Sequence, residues 1–175
     1  MNLRLAPLAC LSLALAAPSA LALTTDSAQP MHIASNQFNY QDATGIATYQ
    51  GNVVATQGSR YLTADTVVVH LTADKQISRV NAYGKPAHYH YQPKPGDHLI
   101  YASASNIQYN PNKNLLSLIN NAQVNQQGNI FKGSLITYNT QTQIIESDGT
   151  QTTGGRPLMI IQPQAQQKVV THATS

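Results

Sequence analysis

Few residues in this 175-residue chain could carry acid–base, nucleophilic or metal chemistry, and their spacing suits none of those tasks well. Seven carboxylates occur: Asp26, Asp42, Asp65, Asp74, Asp97, Glu146 and Asp148. Asp42, Asp74, Asp97 and Asp148 stand among turn-forming neighbours, where a short acidic side chain bonds local backbone N–H groups. Glu146 and Asp148, two residues apart, are the one pair with a glycosidase-like look, and a turn explains them more simply. Of six histidines, His88 and His90 share a face at strand spacing. They could hold two sides of a metal, but no third ligand follows at suitable spacing. The only cysteine is Cys10. No Gly-x-Ser-x-Gly, phosphate-binding loop or dinucleotide fingerprint is present, and Gly154-Gly155 reads as a turn. These residues point away from an enzyme and call for no cofactor and no metal.

The elements around them explain why chemistry is sparse. Residues 1–22 carry a positive start (Arg4), an apolar run from Leu5 through Ala17, and a small-residue stretch ending in Ala22. That is the signature of a secretory signal peptide, and removing 22 of 175 residues leaves 153. Cys10 falls inside it, so the exported chain is expected to hold no thiol and no disulfide. No later run approaches the ~20 apolar residues of a membrane-spanning helix. Ten Lys and Arg against seven acids give a formal charge of +3, with no run of consecutive basic residues. Nucleic-acid capture is therefore unsupported.

Residues 23–163 read as one domain and residues 164–175 as a polar, disordered tail. The domain is rich in Val, Ile, Thr and Tyr, with nine tyrosines against two phenylalanines. It alternates apolar and polar residues with period two, as strands do. In Ala87-His88-Tyr89-His90-Tyr91 the tyrosines share one face and the histidines the other. Val67, Val69 and Leu71 make a second such face, and Ile136 with Tyr138 a third. Turn signals separate the strands at Asp42–Gly45, Gln57–Ser59, Ala73–Lys75, Asn110–Asn114, Gln127–Asn129 and Ser147–Gly149. Many short strands of this kind suit a sandwich, jelly roll or β-solenoid. An internal echo runs through the chain. Ser35–Tyr40 aligns with Ala104–Tyr109, Gly51–Gly58 with Asn121–Gly128, and Leu62–Val67 with Phe131–Ile136, always about 70 residues apart. The fold is expected to be two similar halves of one continuous structure.

Several blocks carry a resemblance, in order, from about Leu23 to Gln162. They are Gln29–Ser35, Tyr49-Gln50-Gly51-Asn52-Val53, Thr56-Gln57-Gly58, Ala64–Val69, Tyr83-Gly84-Lys85-Pro86-Ala87 and Lys132–Tyr138. Together they resemble the LptA (OstA-like) family of lipopolysaccharide-transport proteins. The stretch around Asp74-Lys75 is shorter than the family pattern. The resemblance implies an all-β, open β-jelly-roll, a V-shaped trough of about sixteen antiparallel strands. It also implies a periplasmic protein that shields the acyl chains of lipopolysaccharide on their way to the outer membrane. Copies join head to tail between the inner-membrane-anchored LptC and the periplasmic domain of the outer-membrane LptD.

The alternating residues give that trough a lining. The inward candidates are Met31, Ile33, Phe38, Tyr40, Tyr49, Val53, Tyr89, Tyr91, Ile107, Tyr109, Leu116, Leu118, Phe131, Ile136 and Tyr138. The resemblance favours Met31, Tyr89 and Tyr109. The tyrosine excess suits a groove edge, where one end of the ring is wet. Arg60, Arg79, Lys85 and Lys132 read as solvated charges, with contact to lipid phosphates as the alternative. Unpaired strand edges are expected at both ends of the trough: Met31, His32 and Ile33 at one, and Leu158, Met159, Ile160 and Ile161 at the other. Two other classes share the strand pattern, a secreted structural β-fibre and a β-helical protein acting on polysaccharide. The first lacks a lipid-lined interior, and the second needs acids clustered in a groove.

Overall fold

The computed structural model describes residues 26–148 and 156–163. The signal peptide expected over residues 1–22 and the tail over 164–175 lie outside the described residues. Among the described residues, ten strands form one antiparallel sheet: β1 (His32–Ala34), β2 (Gln37–Gln41), β3 (Ile46–Gln57), β4 (Arg60–Leu71), β5 (Ile77–Tyr91), β6 (Ile100–Asn110), β7 (Leu115–Gln126), β8 (Asn129–Asn139), β9 (Ile145–Asp148) and β10 (Leu158–Ile160). β3 to β8 follow one another as hairpin neighbours. β1 and β2 both pair with β3, and β9 and β10 both pair with β8.

The sheet is creased. Register slips midway along every long hairpin, at Gln50/Val53, Thr63/Thr66, Tyr83/Ala87, Ser103/Asn106 and Ile119/Ala122. One strand of each pair carries an extra residue there, or two where β5 meets β4 and β6; extra residues bend a strand locally, and bulges at one level in neighbouring strands bend the whole sheet along a line. The residue types at the crease suit the bend. Gly51 and Asn52 have φ of 77° and 49°, and Asn120 and Asn121 have 63° and 55°. Asn and Gly are the residues that tolerate this left-handed region. Gly84 brings its backbone so near the chain ahead that a Cβ there would lie 2.6 Å from Ala87 N.

The six long strands thus each run through two walls. One wall holds β2, the halves 46–50, 66–71, 77–83, 106–110, 115–119 and 135–139, and β9. The other holds β1, the halves 53–57, 60–64, 87–91, 100–104, 122–126 and 129–133, and β10. Counted this way there are eight segments per wall, and the sixteen of the expected open jelly roll are present as ten strands. The echo of about 70 residues is this crease repeated: the Gly51-Asn52 bend of β3 recurs at Asn120-Asn121 of β7.

The turn expected at Ser147–Gly149 begins no earlier than Gly149, which lies outside the described residues. Ser147 and Asp148 belong to β9, which pairs with residues 135–138 of β8. Ser147 Oγ donates to Leu135 O at 2.9 Å. The chain reverses earlier, at 140–143, where Asn139 Oδ1 accepts from Gln141 N at 3.0 Å and Thr142 N at 2.9 Å. The short β4–β5 connection closes within Thr72–Gln76 through Thr72 N to Gln76 O at 2.8 Å.

Candidate functional site

The inward faces of the two walls meet in a single apolar interior. Alternate residues along each strand point inward, and those at Val53, Val67, Ala87, Ala104, Leu118 and Ile136 are at most 1% exposed. The walls touch, so the trough is largely filled by its own side chains. At the β1 end a cavity of about 40 Å³ remains, lined by Met31, Leu62, Tyr89, Ile107, Tyr109 and Leu116 among others.

Every expected lining residue is in the inward phase, but they divide by depth. Tyr89, Tyr91, Ile107, Tyr109, Leu116, Leu118, Val53, Ile136 and Tyr138 are buried, while Met31, Ile33, Tyr49 and Phe131 are partly buried and pack on that core. Phe38 and Tyr40 are 61% and 38% exposed. They stand opposite Tyr49 and Ala47 in the β2–β3 pairing. They therefore face the interior side, at the rim, because β2 is an edge strand. Phe38 still lies 4.9 Å from the Tyr49 ring. The composition-based list passed over Ala47, Ala55, Ala82, Ala87, Ala102, Ala104 and Ala122, all buried. Their small side chains let the walls approach, and the period-two pattern alone could have found them.

Among the described residues, two side-chain hydrogen bonds cross from wall to wall. Tyr91 Oη and Tyr138 Oη lie 2.6 Å apart, with ring centroids 6.0 Å apart. Arg60 Nη1 donates to Tyr109 Oη at 2.6 Å, and the guanidinium carbon sits 4.8 Å above that ring. The tyrosines thus divide: Tyr89, Tyr91, Tyr109 and Tyr138 are buried, and of these Tyr91, Tyr109 and Tyr138 bond one another or an arginine, while Tyr40, Tyr61, Tyr83 and Tyr101 are exposed. Burial pushes the Tyr89, Tyr91 and Tyr138 hydroxyls above their ordinary pKa. The mutual bond adds to this for Tyr91, and the Arg60 charge opposes it for Tyr89.

Arg60 corrects an expectation. It is not a solvated charge: it pairs with Gln57 across the β3–β4 turn and so faces inward. Its Nε lies 3.7 Å from Asp26 Oδ2. Asp26 in turn accepts from Ser59 N at 2.9 Å and Ser59 Oγ at 2.6 Å. Arg79, Lys85 and Lys132 are exposed. On the outer face, His90 is flanked by Tyr61 and Tyr101 at 4.9 and 5.5 Å, and His88 is exposed. Glu146 is exposed on β9.

Among the described residues, the end strands pair with no further strand on their outer edges. Ile33 stands opposite Ala55 on the inner face and His32 opposite Thr56 on the outer. At the far end Met159 stands opposite Phe131. Leu158, Met159, Ile160 and Ile161 are 51, 52, 38 and 66% exposed.

A creased antiparallel sheet with one apolar interior and two open ends defines a class of non-barrel, trough-like β proteins. The chain belongs to the LptA/(LptD N-terminal domain) family of LPS transport proteins, whose model matches residues 32–144. It is 40% identical over 159 residues to the lipopolysaccharide export system protein LptH of Pseudomonas aeruginosa, covering 88% of this chain and 91% of that one. It is 35% identical over 137 residues to the lipopolysaccharide export system protein LptA of Escherichia coli K12, covering 78% and 74%. The crystal structure of the Pseudomonas aeruginosa LptH, described as the LptA-homologous periplasmic component of the lipopolysaccharide transport device, superposes with a TM-score of 0.74. That match has 38% identity and covers 80% of this chain and all of that one.

Proposed function

We propose that this chain is a periplasmic carrier for lipopolysaccharide, exported by removal of residues 1–22, and that its interior shields the acyl chains in transit. The observation that carries the reading is the continuous apolar interior, open at both ends of the sheet. Each acyl methylene held out of water is worth ~0.8 kcal/mol, so a multi-chain lipid crossing an aqueous space needs a cover worth tens of kcal/mol. Eight segments per wall at ~4.8 Å spacing give a path roughly 35 Å long. Because the walls touch, loading requires them to part at the crease, and acyl chains then replace wall-to-wall contacts with like for like. The reading assigns no catalytic step, and relatives named as export proteins support it.

The unpaired edges support strand addition as the mode of assembly. In this reading the edge at Met31, His32 and Ile33 takes an LptC-type partner or a preceding copy. The edge at Leu158, Met159, Ile160 and Ile161 takes a following copy or an LptD-type domain.

Photo-crosslinking amino acids placed in turn at Met31, Tyr89 and Tyr109 in cells test the cargo. Lipopolysaccharide captured at these three and not at the outward-facing His88 and Gln108 is the expected result. Capture confined to the outward pair overturns the reading.

A further inference from the structure

Residues that line the cavity at the β1 end carry hydrogen-bond donors buried at its wall, without acceptors among the described residues. Tyr89 Oη is buried, its residue 8% exposed, and has no hydrogen-bond partner among the described residues. Arg60 Nε is likewise buried without a hydrogen bond, its acidic neighbour Asp26 standing at 3.7 Å. Tyr109 Oη accepts from Arg60, which leaves its own proton to give. All three residues line the same cavity, otherwise walled by apolar groups such as Met31, Ile107 and Leu116. A buried donor left unmade costs about 1–3 kcal/mol, so a set of them in one apolar pocket calls for an acceptor. The charge around them narrows its kind. Asp26 already sits beside the guanidinium, and a second anion in this poorly hydrated place meets like-charge repulsion. A neutral oxygen meets none.

We infer that this cavity is a subsite for the neutral carbonyl oxygen at the root of an acyl chain, an ester or amide, with Tyr89 Oη and Arg60 Nε as the donors. The chain beyond the carbonyl then runs along Ile107 and Leu116 as the walls part, since about 40 Å³ holds only a group or two of water size. The inference rests on the lipid-carrier reading and sharpens it: the interior recognises the linkage as well as the hydrocarbon. Tyr89 and Arg60 become specificity-determining residues.

The test uses the whole exported chain and displacement of an apolar fluorescent dye by three probes: ethyl octanoate, the ether of the same length, and octanoate ion. The expected result is about tenfold tighter binding of the ester than of the ether, the worth of one or two net hydrogen bonds. In Tyr89→Phe the ester-over-ether preference falls to threefold or less. Infrared spectra of carbonyl-¹³C ester give a second readout that needs no affinity difference. The bound carbonyl stretch lies at lower wavenumber in the wild type than in Tyr89→Phe. Equal binding of ester and ether overturns the subsite and leaves the carrier reading standing. So does a preference that survives Tyr89→Phe with no carbonyl shift, since water then satisfies the donors. Tighter binding of octanoate ion than of the ester overturns the neutral-acceptor assignment. Binding of no probe overturns the carrier reading and the subsite together.

Discussion

The Tyr91–Tyr138 bond offers a direct measure of what ties the walls. The two hydroxyls are 47 residues apart in sequence and 2.6 Å apart in space, in residues 3% and 1% exposed. Replacing either tyrosine by phenylalanine keeps the ring and strands the other hydroxyl in an apolar interior. The cost is the desolvation of an unmade polar group, about 2 kcal/mol within a range of 1–3. Replacing both leaves nothing unsatisfied, and the expected cost is about 0–1 kcal/mol. The two single losses, about 4 kcal/mol together, then exceed the double by about 3 kcal/mol, a coupling expected only of groups in contact. In urea, with a slope of about 1.5–2 kcal/mol per molar for a domain this size, each single variant moves the midpoint down by about 1 M. The double variant lies close to the wild type. Circular dichroism at equilibrium reads all four midpoints. If the double variant loses the sum of the two singles, the hydroxyls act independently and the wall-to-wall tie does not exist.

The same buried phenols set an alkaline limit. Tyr89, Tyr91 and Tyr138 have pKa values raised on folding. Their stabilisation is therefore complete below the unfolded value near 10 and is lost as pH rises above it. Stability therefore falls progressively above about pH 10. Unfolding should accompany tyrosinate absorbance, and full titration near pH 10 with the fold intact would contradict this. At the crease, Gly84→Ala places a Cβ 2.6 Å from Ala87 N and 2.8 Å from Pro86 C, both backbone. It should lower stability by about 2 kcal/mol or more. Gly96→Ala, with φ of 86° but open space around it, should cost about 1 kcal/mol. Equal melting temperatures for the two variants would show that the crease tolerates displacement. Light scattering across a concentration series should show mass rising with concentration. Lysine at Met159 and proline at Ile160 should abolish the rise, and a strictly monomeric wild type at high concentration refutes edge-to-edge assembly.

The period-two faces were readable because one side of each strand is buried and the other is not, so composition follows geometry residue by residue. The repeat at Gly51–Gly58 and Asn121–Gly128 was readable too, since positive φ at a bend restricts residue choice to Gly and Asn. What the bend does was not readable. A bulge keeps a strand continuous, so sixteen segments emerge as ten strands. β9 stayed hidden because Ser147-Asp148-Gly149 has turn chemistry, while its pairing with β8 is decided by tertiary contact. Arg60 was placed on the surface by the ordinary habit of arginine. Its inward turn follows from the hairpin pairing with Gln57 and from Tyr109, 49 positions away, which no local pattern announces. Filling of the interior by its own side chains was likewise outside the pattern, because alternation fixes which side a residue faces and not how far the opposite layer stands.

The bulges along the crease have a further consequence. In an ordinary strand one inserted residue reverses every side chain beyond it. Here each long hairpin is interrupted by a joint at which its strands already advance unequally, by one residue or, beside β5, by two, so the pairing in one layer does not dictate the pairing in the other. A slip near a hairpin tip can be cancelled at the fold line before it reaches the opposite layer. Either layer can therefore drift in length or loop content while the other holds its oily side inward.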